Sequence, residues 1–338
     1  MKRDSRFETL RIFSMFLIII YHYSLYGNWK DKTLSNQFAI PYGQIGVCLF
    51  VLISGYFISL EKINLRKQII RIVKLWNWVL IYSWIILCIT YVLKFKIVGL
   101  RLFIGSLFPI IFNSYWFVTS FIILMFLVPL LNKMISKSNK KQLMIYIVFF
   151  IVTSGILPIL NNILPPFGES NGVALMITCY LIAAYVRIYK VEAKNLYLFS
   201  IICLSLIIMY LPLMLFNDER LTKGFFPIII ASSIFILITR IRPYYNSFIN
   251  FMASSVFASY LITENNLLRI TIWHKLLNVN QYSTHPIVAG IIIVAIIIIV
   301  TALFDKSYKL LYNLVLKKNV SYVSNYIYKY LSNYYSKD

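Results

Sequence analysis

His22 is one of three histidines in the chain, and it lies inside a long apolar segment that begins near Arg11. Imidazole titrates near neutral pH, so a histidine at this depth is a candidate general base. If the segment is one α-helix, Arg11 and His22 project from nearly the same face, about 16 Å apart along its axis. The pair predicts chemistry across a membrane. A structural reading also fits: a buried polar contact at His22 and a helix-end charge at Arg11.

Two carboxylates extend this candidate site. Glu264 lies near the outer end of a later apolar segment, at a depth similar to that of His22. An imidazole and a carboxylate that meet there would form a general base with an orienting partner, whereas the alternative is an acid exposed to water at the membrane interface. Arg269 follows closely and is expected to cluster with Glu264. Glu8, three residues before Arg11, has the spacing of a helical ion pair.

Membrane-spanning helices are the elements that must position these residues. Hydrophobic residues make up 60% of the chain and charged residues 13%, which excludes a water-soluble globular protein. We predict an all-α, polytopic helix bundle of about ten transmembrane helices. The first is expected to be a permanent span, because no cleavage site of small residues follows it. The predicted spans are 12–26, 45–60, 76–93, 116–132, 144–160, 173–189, 196–216, 225–239, 248–266 and 287–304.

The distribution of lysine and arginine predicts the orientation of this bundle. With both termini in the cytoplasm, most basic residues fall in cytoplasmic loops, and few, such as Lys30 and Lys32, lie outside. A further apolar segment, 102–113, would invert this balance if it crossed the bilayer, so we expect it to be interfacial or re-entrant. We divide the chain into a transmembrane domain, 1–305, and a basic, tyrosine-rich cytoplasmic tail, 306–338. The tail is expected either to lie on the inner leaflet or to be partly disordered.

The formal net charge of +22 does not indicate nucleic-acid binding, because the basic residues are spread over loop ends and do not gather on one face. The four cysteines fall in apolar segments without paired short spacing, so neither a disulfide framework nor a metal site is predicted. The sequence indicates a multi-pass protein of the cell membrane. Its oligomeric state does not follow from the residues.

A basic cluster follows the second predicted span. Arg66 and Arg71 belong to it, together with Lys67 and Lys74, and such a cluster is a suitable seat for a phosphate-bearing cofactor. Within the span itself, Ser54 and Gly55 permit close approach of a neighbouring backbone. Small residues in membrane helices mostly serve packing, which is the simpler interpretation of this pair.

Four segments together resemble the acyltransferase 3 family of bacterial membrane acyltransferases. The first is R-x10-H from Arg11 to His22, and the second, 50–57, is similar to the family's F-x-x-S-G-[FY] segment and ends in Tyr56-Phe57. Trp116-Phe117 followed by Pro-Leu-Leu at 129–131 resembles its W-F and P-L-L element. Residues 255–262 resemble its late S-x-F-x-x-Y-L-I element. The segments occur in the family's order over most of the chain.

The resemblance implies an enzyme that moves an acetyl group from cytoplasmic acetyl-CoA to a hydroxyl of a cell-surface polysaccharide or its lipid-linked precursor. It implies functional roles for His22 and Arg11, and, through a looser match of the basic loop after the S-G segment, a role for Arg71 in holding the cofactor. Many relatives carry a histidine directly after the Y-L-I element, where this chain has Thr263 and then Glu264. No second catalytic histidine therefore transfers. No permanently bound cofactor is expected.

The residues leave several alternatives open. His22 either removes the proton of the acceptor hydroxyl directly or first accepts the acetyl group itself. A transporter or flippase of lipid-linked sugars is the main rival function, although no internal repeat supports it. A membrane scaffold, with Trp116 and the small residues serving packing alone, is the third. The identity of the acceptor sugar does not follow from the sequence.

Overall fold

The computed structural model describes residues 3–27, 29, 37–59, 61, 64–160 and 172–335. Within these ranges the chain is helical and contains no strand, which confirms the predicted all-α class. Lys30 and Lys32, assigned to an outer loop, lie outside the described residues. The main helices are α1 Ser5–Tyr26, α2 Tyr42–Ile58, α3 Leu65–Val92, α4 Leu100–Leu107, α5 Trp116–Lys137, α6 Lys140–Ile151, α7 Gly172–Tyr189, α8 Asn195–Phe216, α9 Phe225–Arg240, α10 Ser247–Ala253, α11 Val256–Thr263, α12 Pro286–Leu311 and α13 Lys317–Tyr335.

Eight helical segments in the described ranges are long and apolar enough to cross a membrane. Two shorter apolar helical segments, Tyr42–Ile58 and Ser247–Thr263, coincide with two further predicted spans. The count of about ten spans and the cytoplasmic position of both termini stay predictions. In the doubtful segment 102–113, helix α4 has eight residues, about 12 Å in length, which is too short to cross the bilayer core of about 30 Å.

Asp4 is the N-cap of helix α1, and its side chain accepts a hydrogen bond from the backbone N–H of Arg6. The helix packs closely against α2. A Cβ added at Gly46 would lie 2.5 Å from the carbonyl oxygen of Ser14, so only glycine permits this approach of the two backbones. Helix α2 in turn packs against α7 and α9. Its residues Cys48, Leu49 and Ile53 are fully buried at the centre of the bundle.

Helix α12 shows how one face turns inward. Val294, Ile298, Thr301 and Asp305 are buried at intervals of three or four residues, whereas isoleucines on the opposite face are exposed. Exposed apolar side chains on this scale would cause aggregation in water and fit a surface in contact with lipid. The helix runs through residue 305, the predicted domain boundary, without a break.

The C-terminal tail forms helix α13, which packs against α3. Val320 and Ser324 are buried in this contact, and Tyr322 and Tyr326 are exposed. Arg66 donates a hydrogen bond of 3.1 Å to the side-chain oxygen of Asn325, so this arginine joins α3 to the tail.

Candidate active site

His22 and Glu264 meet in the structure, as the similar depth of the two residues predicts. Nδ1 of His22 lies 3.0 Å from Oε1 of Glu264, and both side chains are buried. The distance is that of an ion pair, but the angles are not those of a hydrogen bond, and neither atom has another hydrogen-bond partner among the described residues. Because unpartnered buried polar atoms are costly, each atom is the natural partner of the other once a proton is shared between them.

Arg269 completes this group. Its Nη1 lies 3.8 Å from Oε2 of Glu264, and its guanidinium stands over the ring of Tyr26 at 4.6 Å. The ring of Tyr26 also stacks on the imidazole of His22, with centroids 5.8 Å apart. Arg269 therefore balances the carboxylate charge next to the imidazole.

The end of helix α11 positions Glu264. This helix ends at Thr263, and the backbone N–H of Glu264 still donates to the carbonyl of Tyr260. The hydroxyl of Tyr115 donates to the carbonyl of Leu261, and the amide nitrogen of Asn265 donates to the hydroxyl of Tyr115 at 2.6 Å. Tyr115 therefore satisfies polar groups that the helix end leaves open, and it fixes the loop that carries the carboxylate.

His22 lines a cavity of about 440 Å³, the histidine cavity. Its wall is mixed, with aromatic rings and polar side chains side by side. Trp116, part of the W-F element, lines this cavity and is 44% exposed. The polar and aromatic side chains of this wall are Tyr21, His22, Gln44, Asn113, Trp116, Ser120, Glu219, Thr222, Lys223 and Tyr260.

Arg11 lines a second cavity of about 560 Å³, the basic cavity. Five cationic side chains reach it, from α1 and the residues before it, from α3 and from α12, and no carboxylate is among its described lining residues. The cationic residues are Arg3, Arg11, Arg71, Lys74 and Lys309. A wall with five cationic side chains suits a polyanionic ligand.

Carboxylates behind the wall hold three of these cations. Glu8 Oε2 accepts a hydrogen bond of 2.6 Å from Arg11, as their spacing predicts, and Glu61 Oε1 accepts one of 2.8 Å from Arg71. Partial burial would raise the pKa of Glu61, but hydrogen bonds from Arg71 and Lys67 outweigh it and keep the pKa of that carboxyl below its ordinary value.

Lys309 is held by the third carboxylate, Asp305, at 2.7 Å. Its Nζ also donates to Ser254 and Ser255, at the break between α10 and α11. Asp305 is fully buried and accepts a hydrogen bond from the hydroxyl of Tyr82. This network ties α12 to α3 and to the broken helix that carries Glu264.

The predicted residues of the S-G segment, Ser54, Gly55 and Tyr56, differ in their relation to the two cavities. Ser54 lines the basic cavity, and its hydroxyl donates to the carbonyl of Phe50. Gly55 faces α7, where close approach was predicted. Tyr56 stacks on Phe7 outside both cavities, and its carbonyl accepts a hydrogen bond from Arg187.

The expectation that Arg66 holds a cofactor finds no support in its position. It lines neither cavity and instead joins α3 to the tail, because it lies on another face of α3 from Arg71.

Sequence reasoning missed Asp305 and Lys309, although their four-residue spacing at the end of an apolar segment is the signal of a helical ion pair. Within the described ranges, no three His, Cys, Asp or Glu side chains come together as metal ligands.

A family model described as an acyltransferase domain, acyltransferase 3, matches residues 4–305. The match covers most of the 338 residues, and the chain therefore belongs to this family of membrane acyltransferases. The matched range, 4–305, contains the R-x10-H pair, the Trp116 element and Glu264. Membership supports acyl transfer and does not favour the alternative of a flippase. No curated protein and no solved structure matches the chain.

Proposed function

We propose that this protein transfers an acetyl group from acetyl-CoA to a hydroxyl of a cell-surface polysaccharide or its lipid-linked precursor. One observation carries the proposal: a single helix, α1, contributes Arg11 to the basic cavity and His22 to the histidine cavity. The basic cavity would face the cytoplasm, where acetyl-CoA is made. The histidine cavity would face outward in the plasma membrane.

The composition of the basic cavity supports CoA as the acyl donor. CoA carries a diphosphate and a ribose phosphate, and guanidinium groups bind phosphate oxygens in pairs. Arg11 and Arg71 are already oriented by Glu8 and Glu61, so little side-chain entropy is lost when they bind. The pantetheine arm would extend from this cavity along α1 toward His22.

The contact between His22 and Glu264 supports general-base catalysis. With Nδ1 turned to Glu264, Nε2 is left for the acceptor. The neutral imidazole takes the hydroxyl proton as the oxygen attacks the thioester carbonyl carbon, and Glu264 stabilises the imidazolium. The carbon–sulfur bond then breaks, and the imidazolium returns its proton to the CoA thiolate. Transfer through an acetylated His22 uses the same groups and gives the same products.

The wall of the histidine cavity supports a sugar as acceptor. Trp116 offers a partly exposed ring, and Gln44, Asn113 and Ser120 offer hydrogen-bonding groups. Mixed aromatic and amide walls suit a ligand with apolar faces and many hydroxyls. Glu219 and Lys223 place both signs of charge in the wall and thus do not favour a strongly charged acceptor.

Nuclear magnetic resonance of surface glycans tests this function. Cells without the protein are compared with cells that produce the wild type, His22→Ala or His285→Ala, since His285 is exposed and lines neither cavity. O-acetyl signals are expected in the wild type and in His285→Ala, and are expected to be lost in His22→Ala. Equal O-acetyl content in all four strains would refute the proposal.

A further inference from the structure

Phe117 is the one described residue that lines both the basic cavity and the histidine cavity. Its side chain is almost fully buried, with 3% exposure. It belongs to helix α5, directly after Trp116. Phe117 therefore lies where the walls of the two cavities meet.

Besides its chain neighbour Trp116, three aromatic rings pack against Phe117. The ring centroid of Phe50 lies at 5.6 Å and that of Tyr260 at 5.7 Å, both edge to face, and Phe121 stacks on it at 5.9 Å. These are favourable geometries for aromatic pairs. The rings come from α2, α5 and α11, so the contacts close the centre of the bundle from three sides. The four rings are called the aromatic partition below.

We propose that the aromatic partition, with Phe117 at its centre, determines which acyl groups pass from the donor cavity to His22, and favours short ones. This inference rests on the proposed function. The thioester must come close to Nε2 of His22 for the acceptor oxygen to reach it. The pantetheine arm must pass the ring edge with any acyl group, so the selection is by length: when the thioester reaches His22, the acyl group lies in the histidine cavity that Phe117 also lines. An acetyl group places one methyl there, whereas each further methylene takes space that the Phe117 ring fills.

The partition also separates the two aqueous cavities. With the basic cavity facing the cytoplasm and the histidine cavity facing outward, as proposed above, an unobstructed channel between them would let protons and small solutes cross the membrane. A packed set of rings excludes water from this point, which also protects the thioester from hydrolysis. Removal of the Phe117 ring would join the cavities.

Phe117→Ala and Phe117→Leu test the proposal, with Phe235→Ala as the matched control. Phe235 is a fully buried phenylalanine that lines neither cavity, so its loss measures the effect of a hole elsewhere in the bundle. The readout is the ratio of kcat/KM for butyryl-CoA to that for acetyl-CoA, in purified protein in nanodiscs. We expect Phe117→Ala to raise this ratio about tenfold or more, and Phe117→Leu to raise it less. An unchanged ratio in both variants would overturn the proposal.

A second readout does not depend on acyl transfer. In sealed proteoliposomes with a pH-sensitive dye inside, Phe117→Ala is expected to dissipate a proton gradient faster than the wild type and Phe235→Ala. If Phe117→Ala dissipates the proton gradient faster but neither the wild type nor any variant transfers an acyl group, the proposed function is refuted and the partition is retained as a barrier. Transfer by the wild type, with neither a changed ratio nor faster dissipation in Phe117→Ala, would retain the function and refute the partition.

Discussion

Nδ1 of His22 lies 3.0 Å from Oε1 of Glu264, and the contact joins the first helix of the bundle to the end of α11. Both groups are buried, and burying an imidazole and a carboxylate without a partner would be costly. The contact therefore fixes the relative position of two distant segments. It also orients an imidazole toward a cavity in which an acceptor hydroxyl can bind.

Glu264→Gln should slow catalysis without weakening donor binding. The amide keeps the shape of the side chain but removes the negative charge that stabilises a protonated His22. A hydrogen bond to a charged group contributes about 1.5–3 kcal/mol, so kcat should fall roughly tenfold or more. KM for acetyl-CoA should stay unchanged in steady-state assays.

Glu219→Gln is the control for this variant, because Glu219 lines the histidine cavity but forms no ion pair with His22. It should keep most of the wild-type kcat. A Glu264→Gln protein as active as Glu219→Gln would remove the orienting role from Glu264.

Lys74→Ala should weaken CoA binding through loss of one positive charge from the basic cavity. Lys67→Ala is the control, because Lys67 pairs with Glu61 and does not line the cavity. Isothermal titration with CoA should give a Kd roughly two- to tenfold higher for Lys74→Ala and little change for Lys67→Ala.

The same titrations at higher ionic strength should weaken binding to the wild type, because salt screens the attraction between phosphates and the cavity. The salt dependence should be smaller for Lys74→Ala. A Kd for CoA that changes neither with ionic strength nor in Lys74→Ala would argue against a phosphate ligand in the basic cavity.

Asp305→Ala should destabilise the protein more than Tyr82→Phe. The first change leaves Lys309 without its ion-pair partner and removes the acceptor of the Tyr82 hydroxyl, whereas the second removes one hydrogen bond. Tyr82→Phe should cost about 1 kcal/mol and Asp305→Ala several times more. Thermal unfolding in detergent measures both. Equal midpoints for the two variants would show that the ion pair contributes nothing.

Gly55→Ala should disturb the contact between α2 and α7. The added Cβ would lie 3.1 Å from both Cβ of Ala183 and Cα of Tyr180, so one helix must shift. Overpacking of this kind costs about 1–3 kcal/mol. A Cβ added at Gly99 meets no atom of the described residues within 4 Å, so Gly99→Ala is the neutral control in the same unfolding measurement. If both variants unfold at the wild-type temperature, Gly55 is not needed for this contact.

The sequence predicts much of the site, because several of its contacts follow from position along a helix. Arg11 and Glu8 pair since they lie one turn apart, and His22 meets Glu264 since both lie near one end of their spans. The family resemblance is confirmed over residues 4–305. Helix periodicity determines the first pair without knowledge of the packing, whereas membrane depth only permits the second, which also requires α1 to pack against α11.

Other features depend on how the helices rotate against one another, which the sequence does not specify. Arg66 and Arg71 lie in one basic cluster, yet only Arg71 faces the basic cavity. Lys309 falls in the predicted tail, but α12 continues past residue 305 and carries it to that cavity. Phe117 belongs to the W-F element, but the sequence does not place it between two cavities, because that position is a property of three packed helices.

The central claim is that Arg11 binds the donor and His22 performs the transfer, from two ends of one helix. CoA binding and acetyl transfer, both measured on purified protein in nanodiscs for Arg11→Ala and His22→Ala, test it most directly. We predict that Arg11→Ala raises the Kd for CoA about tenfold or more, that His22→Ala leaves it unchanged, and that transfer falls about 10²–10⁴-fold in His22→Ala. Wild-type transfer by His22→Ala, or equal loss of CoA binding in both variants, would contradict this division of roles.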